Sequence, residues 1–268
     1  MNLKILTSQN AEKGSRKMPQ QFDEPVRADL IRRAVDAIHS HLRQAYGNDP
    51  RAGKKQAAKL SRRRRDYKGS YGHGISRVPR KSMSRNGTNI QFVGAFAPGT
   101  VGGRKAHPAK AERDFSKNIN IKERRKAIRS ALAATMLKDV ITQRGHNLPS
   151  KFPFIVDAAF EGIDKTKAAI EALEALEFTA DLARASIRKI RAGKGKNRGR
   201  PYQGRKGPLI VVSKSCPLMK AAGNIPGVDV VEVSRINASL LAPGGHPGRL
   251  TLFTDAAIER LEKEGLFR

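Results

Sequence analysis

Apolar residues recur along this chain with two different periods, and through one long stretch with none. In "PVRADLIRRAVDAIHSHLRQAY" (25–46), Leu30, Ile31, Ala34, Val35, Ile38 and Leu42 fall three and four residues apart. That spacing predicts an amphipathic helix from about Arg27. A second helical pattern begins at Asn118 and runs to about Gln143, with Ile128, Leu132, Thr135 and Val140 facing inward. Its start, "NIKE" (Asn120 to Glu123), fits a capping box with Asn in place of Ser or Thr. Gly145 supplies the stop.

Beyond that point short β-rich runs alternate with helical ones. "FPFIVD" (152–157), "PLIVVS" (208–213), "VDVVEV" (228–233) and "RLTLFT" (249–254) read as strands. "DKTKAAIEALEAL" (164–176), continued by "TADLARASIRKI" (179–190), reads as helix, as do "CPLMKAA" (216–222), "NASLLA" (237–242) and "DAAIERLEKEG" (255–265). Strands that alternate with helices need crossover connections and a parallel sheet covered on both faces. The expected fold class is therefore α/β, a three-layer sandwich with a mainly parallel central sheet and one long, extended basic loop insertion.

The insertion is where periodicity fails. Residues 47–117 show no sustained period, and within 61–110 only eight of 50 residues are Leu, Ile, Val, Phe or Met while eight are Gly. A segment of this composition cannot fold on its own apolar burial. A structureless stretch of such length inside a domain is either disordered or ordered by something outside the protein.

Charge says what kind of partner. The chain carries a formal +29. Residues 61–110 hold 12 Lys and Arg against Asp66 alone, and residues 184–206 hold 10 with no acid. These two segments therefore carry +21 of the total (12 − 1 + 10). Charge so concentrated repels itself until a polyanion neutralises it. An anionic membrane fits poorly. No run approaches the ~20 apolar residues of a spanning helix. The N-terminal "MNLKILTSQNAEKG" lacks a secretory apolar region, and the basic segments hold too many glycines for an amphipathic surface helix. Cys216 is the single cysteine, so no internal disulfide forms, and a small, partly buried residue is expected there.

Nucleic acid fits the residue types. Arginine presents a planar fork to phosphate oxygens and lysine a point charge, while glycine lets the backbone approach and donate N–H bonds. Tyr67, Tyr71, Phe92 and Phe96 offer rings to unpaired bases, the usual mode of RNA recognition. Catalytic patterns are missing: there is no P-loop, no G-x-S-x-G and no H-E-x-x-H. "GKGKNRG" (193–199) resembles a dinucleotide fingerprint but follows a predicted helix and precedes a proline, the wrong context. His39 and His41, two apart, fall on different helix faces. His73, His107, His146 and His246 sit beside Gly, Pro or Asn and read as turn residues. No catalytic site, metal site, cofactor or small-molecule substrate is expected. One alternative is a free RNA-binding or RNA-modifying protein with an α/β core, which needs a pocket at the carboxyl ends of its strands.

Four stretches carry a resemblance: "PVRADLIRRAV" (25–35), "FAPGTVGGRKAHPAK" (96–110), "KERRKAIRSALAAT" (122–135) and "NIPGVDVVEVSRINASLLAPGGHPGRLTLFTDAAIERL" (224–261). Spanning nearly the whole chain, they resemble the universal family of large ribosomal subunit protein four, in its archaeal type. The resemblance implies a globular α/β domain of residues 1–46 and 112–268 and an extended rRNA-penetrating loop of residues 47–111. It implies early binding to large-subunit rRNA, a loop tip on the wall of the nascent polypeptide exit tunnel, no catalytic role, and a place in the cytoplasmic ribosome. Neighbouring large-subunit proteins and the nascent polypeptide are the other expected partners. Read with the basic segments, it puts rRNA contacts on Arg62, Arg63, Arg64, Arg65, Lys68, Tyr71, Arg85, Arg104, Lys105, His107 and Lys110 of the insertion. Those of the second segment are Arg188, Lys189, Lys194, Lys196, Arg198, Arg200, Arg205 and Lys206. The family's Gly-x-Gly and basic-Val-Pro-basic motifs imply that Gly72, His73, Gly74, Ser76, Arg77, Val78, Pro79 and Arg80 line the tunnel.

Overall fold

The computed structural model describes residues 1–55, 58, 63–65, 71, 72, 74, 76–86 and 89–267. In chain order the elements are β1 (Asn2–Leu6), β2 (Glu12–Lys17), α1 (Ala28–His41), β3 (Arg80–Asn86), β4 (Asn89–Gly94), α2 (Ile121–Ala134), α3 (Lys138–Gln143), β5 (Phe154–Val156), α4 (Thr166–Ala175), α5 (Thr179–Ser186), β6 (Arg188–Ile190), β7 (Tyr202–Gly204), β8 (Leu209–Val212), α6 (Leu218–Ala221), β9 (Asp229–Glu232), α7 (Ala238–Leu241), β10 (Thr251–Thr254) and α8 (Asp255–Lys263). They fall into two compact units, residues 1–42 with 117–268, and residues 43–116.

The first unit is built on a six-stranded sheet in the order β2-β1-β5-β10-β8-β9. Only the β1–β2 pair is antiparallel; the others run parallel. Because successive strand residues point to opposite faces, β8 divides its side chains between two cores. Leu209 and Val211 join Ile31 and Val35 of α1, Leu132 of α2 and Ile258 of α8 on one face. Ile210 and Val212 join Ile141 of α3, Leu173 of α4 and Leu218 of α6 on the other. Helices thus cover both faces, which is the expected three-layer α/β sandwich.

Several boundaries differ from expectation, each for a local reason. Helix α1 stops at His41 and leaves Leu42 78% exposed, outside the apolar stripe the spacing suggested. The capping box does not form: Asn120 makes no side-chain cap bond, and Glu123 sits 3.5 Å from Arg33 of α1 instead. The helix expected to reach Gln143 is two helices. The Thr135 hydroxyl and N–H both turn back to the carbonyl of Leu132, at 2.6 and 3.0 Å, and close α2 with a tight turn. Ile141 then takes the buried place expected for Val140. Gly145, at φ +88°, ends α3 in the left-handed conformation that favours glycine.

The helix expected from 164 to 190 also breaks. Glu177 is left-handed at φ +66°, its N–H bonds to the carbonyl of Glu174, and the Phe178 N–H bonds to that of Leu173, closing α4 as a Schellman turn. The Glu177 carboxylate offsets the strain by accepting from the Ser150 N–H at 2.9 Å and hydroxyl at 2.5 Å. Helix α5 stops at Ser186, and 188–190 is strand rather than helix. The sequence reading missed β1 and β2 altogether. It also missed the β3–β4 hairpin inside the insertion, where Asn86 pairs with Asn89 and the dipeptide between them in the sequence begins with Gly.

Candidate nucleic-acid interface

The second basic segment is an antiparallel hairpin. Arg188 pairs with Gly204, Lys189 with Gln203 and Ile190 with Tyr202. Arg191 is used internally: its Nε donates to the carbonyl of Arg200 and its Nη2 to that of Tyr202, both at 3.2 Å, which cross-links the hairpin. Arg188, Lys189, Lys194, Lys196, Arg198, Arg200 and Arg205 are all exposed and make no ion pair with any described residue. Lys206 differs, since its ammonium lies 3.0 Å from the Asp229 carboxylate. Ile190 and Tyr202, 72% and 59% exposed, form an apolar cross-strand pair among these cations.

At the foot of the hairpin is a cluster that sequence reasoning did not find. The sequence suggests a turn at His146, yet this side chain is buried, with Nδ1 3.2 Å from both Asp181 oxygens. Arg184 reaches Asp181 at 2.8 Å, and the Asn147 N–H does so at 3.1 Å. Burial pushes the His146 imidazole below its usual pKa despite Asp181. Burial alone would raise Asp181, but the hydrogen bonds from His146 and Arg184 hold its carboxyl below the usual range. These partners are 35 and 38 residues apart in sequence, so no local pattern could have joined them.

In the second unit the Tyr46 and Phe115 rings stack at 5.5 Å, with the Arg43 guanidinium 4.2 Å from the centre of Phe115. Close by, the Asn48 N–H bonds to the carbonyl of Ala109. Tyr71, expected to meet bases, is half-buried, with the guanidinium carbons of Arg64 and Arg77 at 5.1 and 5.0 Å from its ring. Gly72 and Gly74 have φ of +79° and +66°. Arg63, Arg64, Arg65, Ser76, Arg77, Lys105, His107 and Lys110 are exposed, whereas Val78, Pro79, Arg80 and Arg104 are half-buried. Phe92 and Phe96 are 48% and 47% exposed. Arg62, Lys68, His73 and Tyr67 lie outside the described residues, as does the side chain of Arg85.

The carboxyl ends of the parallel strands are tied together rather than left open. Glu161, just after β5, accepts from the Ser213 N–H at 2.8 Å and hydroxyl at 2.7 Å, at the end of β8. It also accepts from the Thr254 hydroxyl at the end of β10, at 2.5 Å, and Arg260 donates to the Ser213 carbonyl. Cys216 is half-buried, and burial pushes its thiol up, away from the reactive thiolate. Among the described residues no cluster of three metal-ligating side chains occurs, and no helix is long and apolar enough to cross a membrane.

Fold and site together define a basic α/β protein in which the exposed cations of residues 188–205 meet no carboxylate among the described residues. The family model described as "Ribosomal protein L4/L1 family" matches residues 17–264, and the chain belongs to that family. It is 47% identical over 268 residues to "Large ribosomal subunit protein uL4" of Nanoarchaeum equitans (strain Kin4-M), covering 100% of both chains. It is 43% identical over 264 residues to the protein so named in Methanococcoides burtonii, covering 98% of each. The corresponding protein of Archaeoglobus fulgidus is 42% identical over 265 residues, covering 97% of this chain and 98% of its own. Membership makes this a structural ribosomal protein and not an enzyme.

Proposed function

We propose that this chain is a structural constituent of the large subunit of the cytoplasmic ribosome and binds large-subunit rRNA early in assembly. The contacts are made by the hairpin of residues 188–205 and by the insertion of residues 47–111. The tip of the insertion, Gly72 to Arg80, lines the nascent polypeptide exit tunnel, and neighbouring large-subunit proteins complete the setting. The observation that carries this reading is the row of exposed cations from Arg188 to Arg205 with no carboxylate partner among the described residues. Such a surface is costly for a free protein and favourable against phosphate. For the insertion, rRNA supplies the packing that its own composition lacks, so the ordering entropy is offset on binding.

Glutamate at Arg77 or Arg80 tests the tunnel assignment. Mutant protein should enter purified large subunits at near-normal stoichiometry while translation of sequence-specific arrest peptides changes. Because Arg77 also packs on Tyr71, Arg77→Lys serves as the control that keeps charge and ring contact. Subunits depleted of the glutamate variants would make the tip a phosphate anchor instead.

A further inference from the structure

The segments that lead into β8 and β10 line a recess of about 810 Å³, with Lys206 three residues before β8 and Pro247 four before β10. Arg144, His146, Arg184, Arg205, Lys206 and His246 are among its lining residues. Its position is opposite to that of an α/β enzyme's pocket, which opens at the carboxyl ends.

The charge around this recess does not balance. Arg144, Arg184, Arg205 and Lys206 line it, and Arg249 lies within 2.6 Å of Asp229 beside Lys206. The carboxylates engaged there are Asp181, held by His146 and Arg184, and Asp229, shared between Arg249 and Lys206. Arg144 has no carboxylate partner among the described residues. Its guanidinium is held by the main-chain carbonyls of His246 and Pro243, the latter at 2.8 Å. Burial, with Arg249 and Arg184 nearby, pulls its pKa to about 10. A cation that is desolvated, fixed in place and surrounded by like charge is stabilised by a bound anion.

We propose that this recess is a socket for one phosphodiester of an RNA strand that continues along the β6–β7 hairpin. It rests on the rRNA-binding reading above and adds Arg144 and His246, which lie outside both basic segments. A nucleic-acid strand fits better than an acidic peptide because the socket is continuous with a charged track. Gln203, Gly204 and Arg205 line the recess and belong to the strand β7 or follow it directly. On the same hairpin Arg188, Lys189 and Arg200 repeat the charge, and the exposed Tyr202 ring offers a stacking face that carboxylates do not need.

The test follows the arginine Nε–Hε signals of the full-length ¹⁵N-labelled protein by NMR. The probes are a single-stranded RNA hexanucleotide, inorganic phosphate and a hexaglutamate peptide. The RNA should move the Arg144 and Arg184 signals at lower concentration than hexaglutamate does. Arg144→Gln and Arg205→Ser should each lower the slope of log affinity against log salt for the RNA by about one. Arg205 has no side-chain partner among the described residues, so its replacement tests binding even if Arg144→Gln disturbs folding. RNA binding that leaves both signals still would overturn the socket while the rRNA-binding reading stands. A stronger response to hexaglutamate would make the recess a protein-binding socket. A response to inorganic phosphate with none to RNA would make it a free-anion site. Both outcomes overturn the proposal, and failure of the RNA to bind at all sinks it together with the wider reading.

Discussion

The guanidinium of Arg249 lies 2.6 Å from the carboxylate of Asp229, with the arginine side chain wholly buried and the aspartate 30% exposed. Arg249 also donates to the carbonyls of Gly207 and Leu240, each at 3.0 Å. One side chain thus ties the approach to β8, the start of β9 and helix α7 to the strand β10 that it precedes. Burial pushes Arg249 down from its usual pKa and Asp229 supports the charge.

Arg249→Met should therefore be strongly destabilising. It leaves the buried carbonyl of Gly207 and the half-buried one of Leu240 without this donor and weakens the neutralisation of Asp229, a loss of about 3–5 kcal/mol by comparison with broken buried pairs. Arg249→Lys restores the charge but not the fork, so its loss should be intermediate. Urea unfolding midpoints check both. A change below about 1 kcal/mol for Arg249→Met would mean that water replaces the arginine at little cost.

The His146–Asp181 pair sets a pH dependence. His146 has a folded-state pKa below its ordinary value, so the unfolded chain takes up the proton first as pH falls. Its contribution to stability is full above about pH 6.5 and is lost from there downward. The Asp181 pKa is depressed as well, so its contribution is present above its ordinary value and lost as pH falls through the lower folded one. Stability should decline below about pH 6.5 and decline further in strong acid. His146→Gln should flatten the first part of this decline, as measured by thermal unfolding between pH 7 and the mildly acidic range. An unchanged profile would remove His146 from the account.

Salt should distinguish the cations on the hairpin. Replacing Arg188, Lys189, Arg198 and Arg200 with Ala should reduce the salt slope of rRNA-fragment binding by about 3, at 0.7–0.9 per phosphate contact. Replacing Lys206 alone should do less, because Asp229 already neutralises it at 3.0 Å. Filter binding at several salt concentrations measures this, and equal effects from Lys206 and from a single hairpin arginine would contradict it.

Replacing residues 61–110 with a short Gly/Ser linker should leave a cooperatively folding protein. The residues of both large cores lie outside this window, and loop-closure cost changes only slowly with length. Calorimetry gives the answer: a broad, non-cooperative transition would show that the insertion supports the core.

What was legible in advance, and what was not, follows from where periodic signals come from. A period appears only when an element buries one face or all of itself. Strands β8 and β10, buried throughout, and helix α1, with its stripe of Ile31, Ala34 and Val35, were therefore readable, and with them the parallel sheet and its covering helices. Charge segregation and the family resemblance needed no structure either. Strand β2, "EKGSRK", is polar along nearly its whole length and is a strand because β1 pairs with it at the sheet edge. The β6–β7 hairpin is exposed along both strands, so "RKI" carried no sign of β structure and extended a helical pattern instead. The Arg249–Asp229 pair joins residues 20 apart, and His146 meets Asp181 and Arg184 across 35 and 38 residues. Sequence by itself determined which segments supply the apolar cores and in which segments basic residues outnumber acidic ones. Only the tertiary structure decided which charges are consumed inside the protein and which remain for a partner, because an ion pair depends on the distance between side chains and not on their separation along the chain.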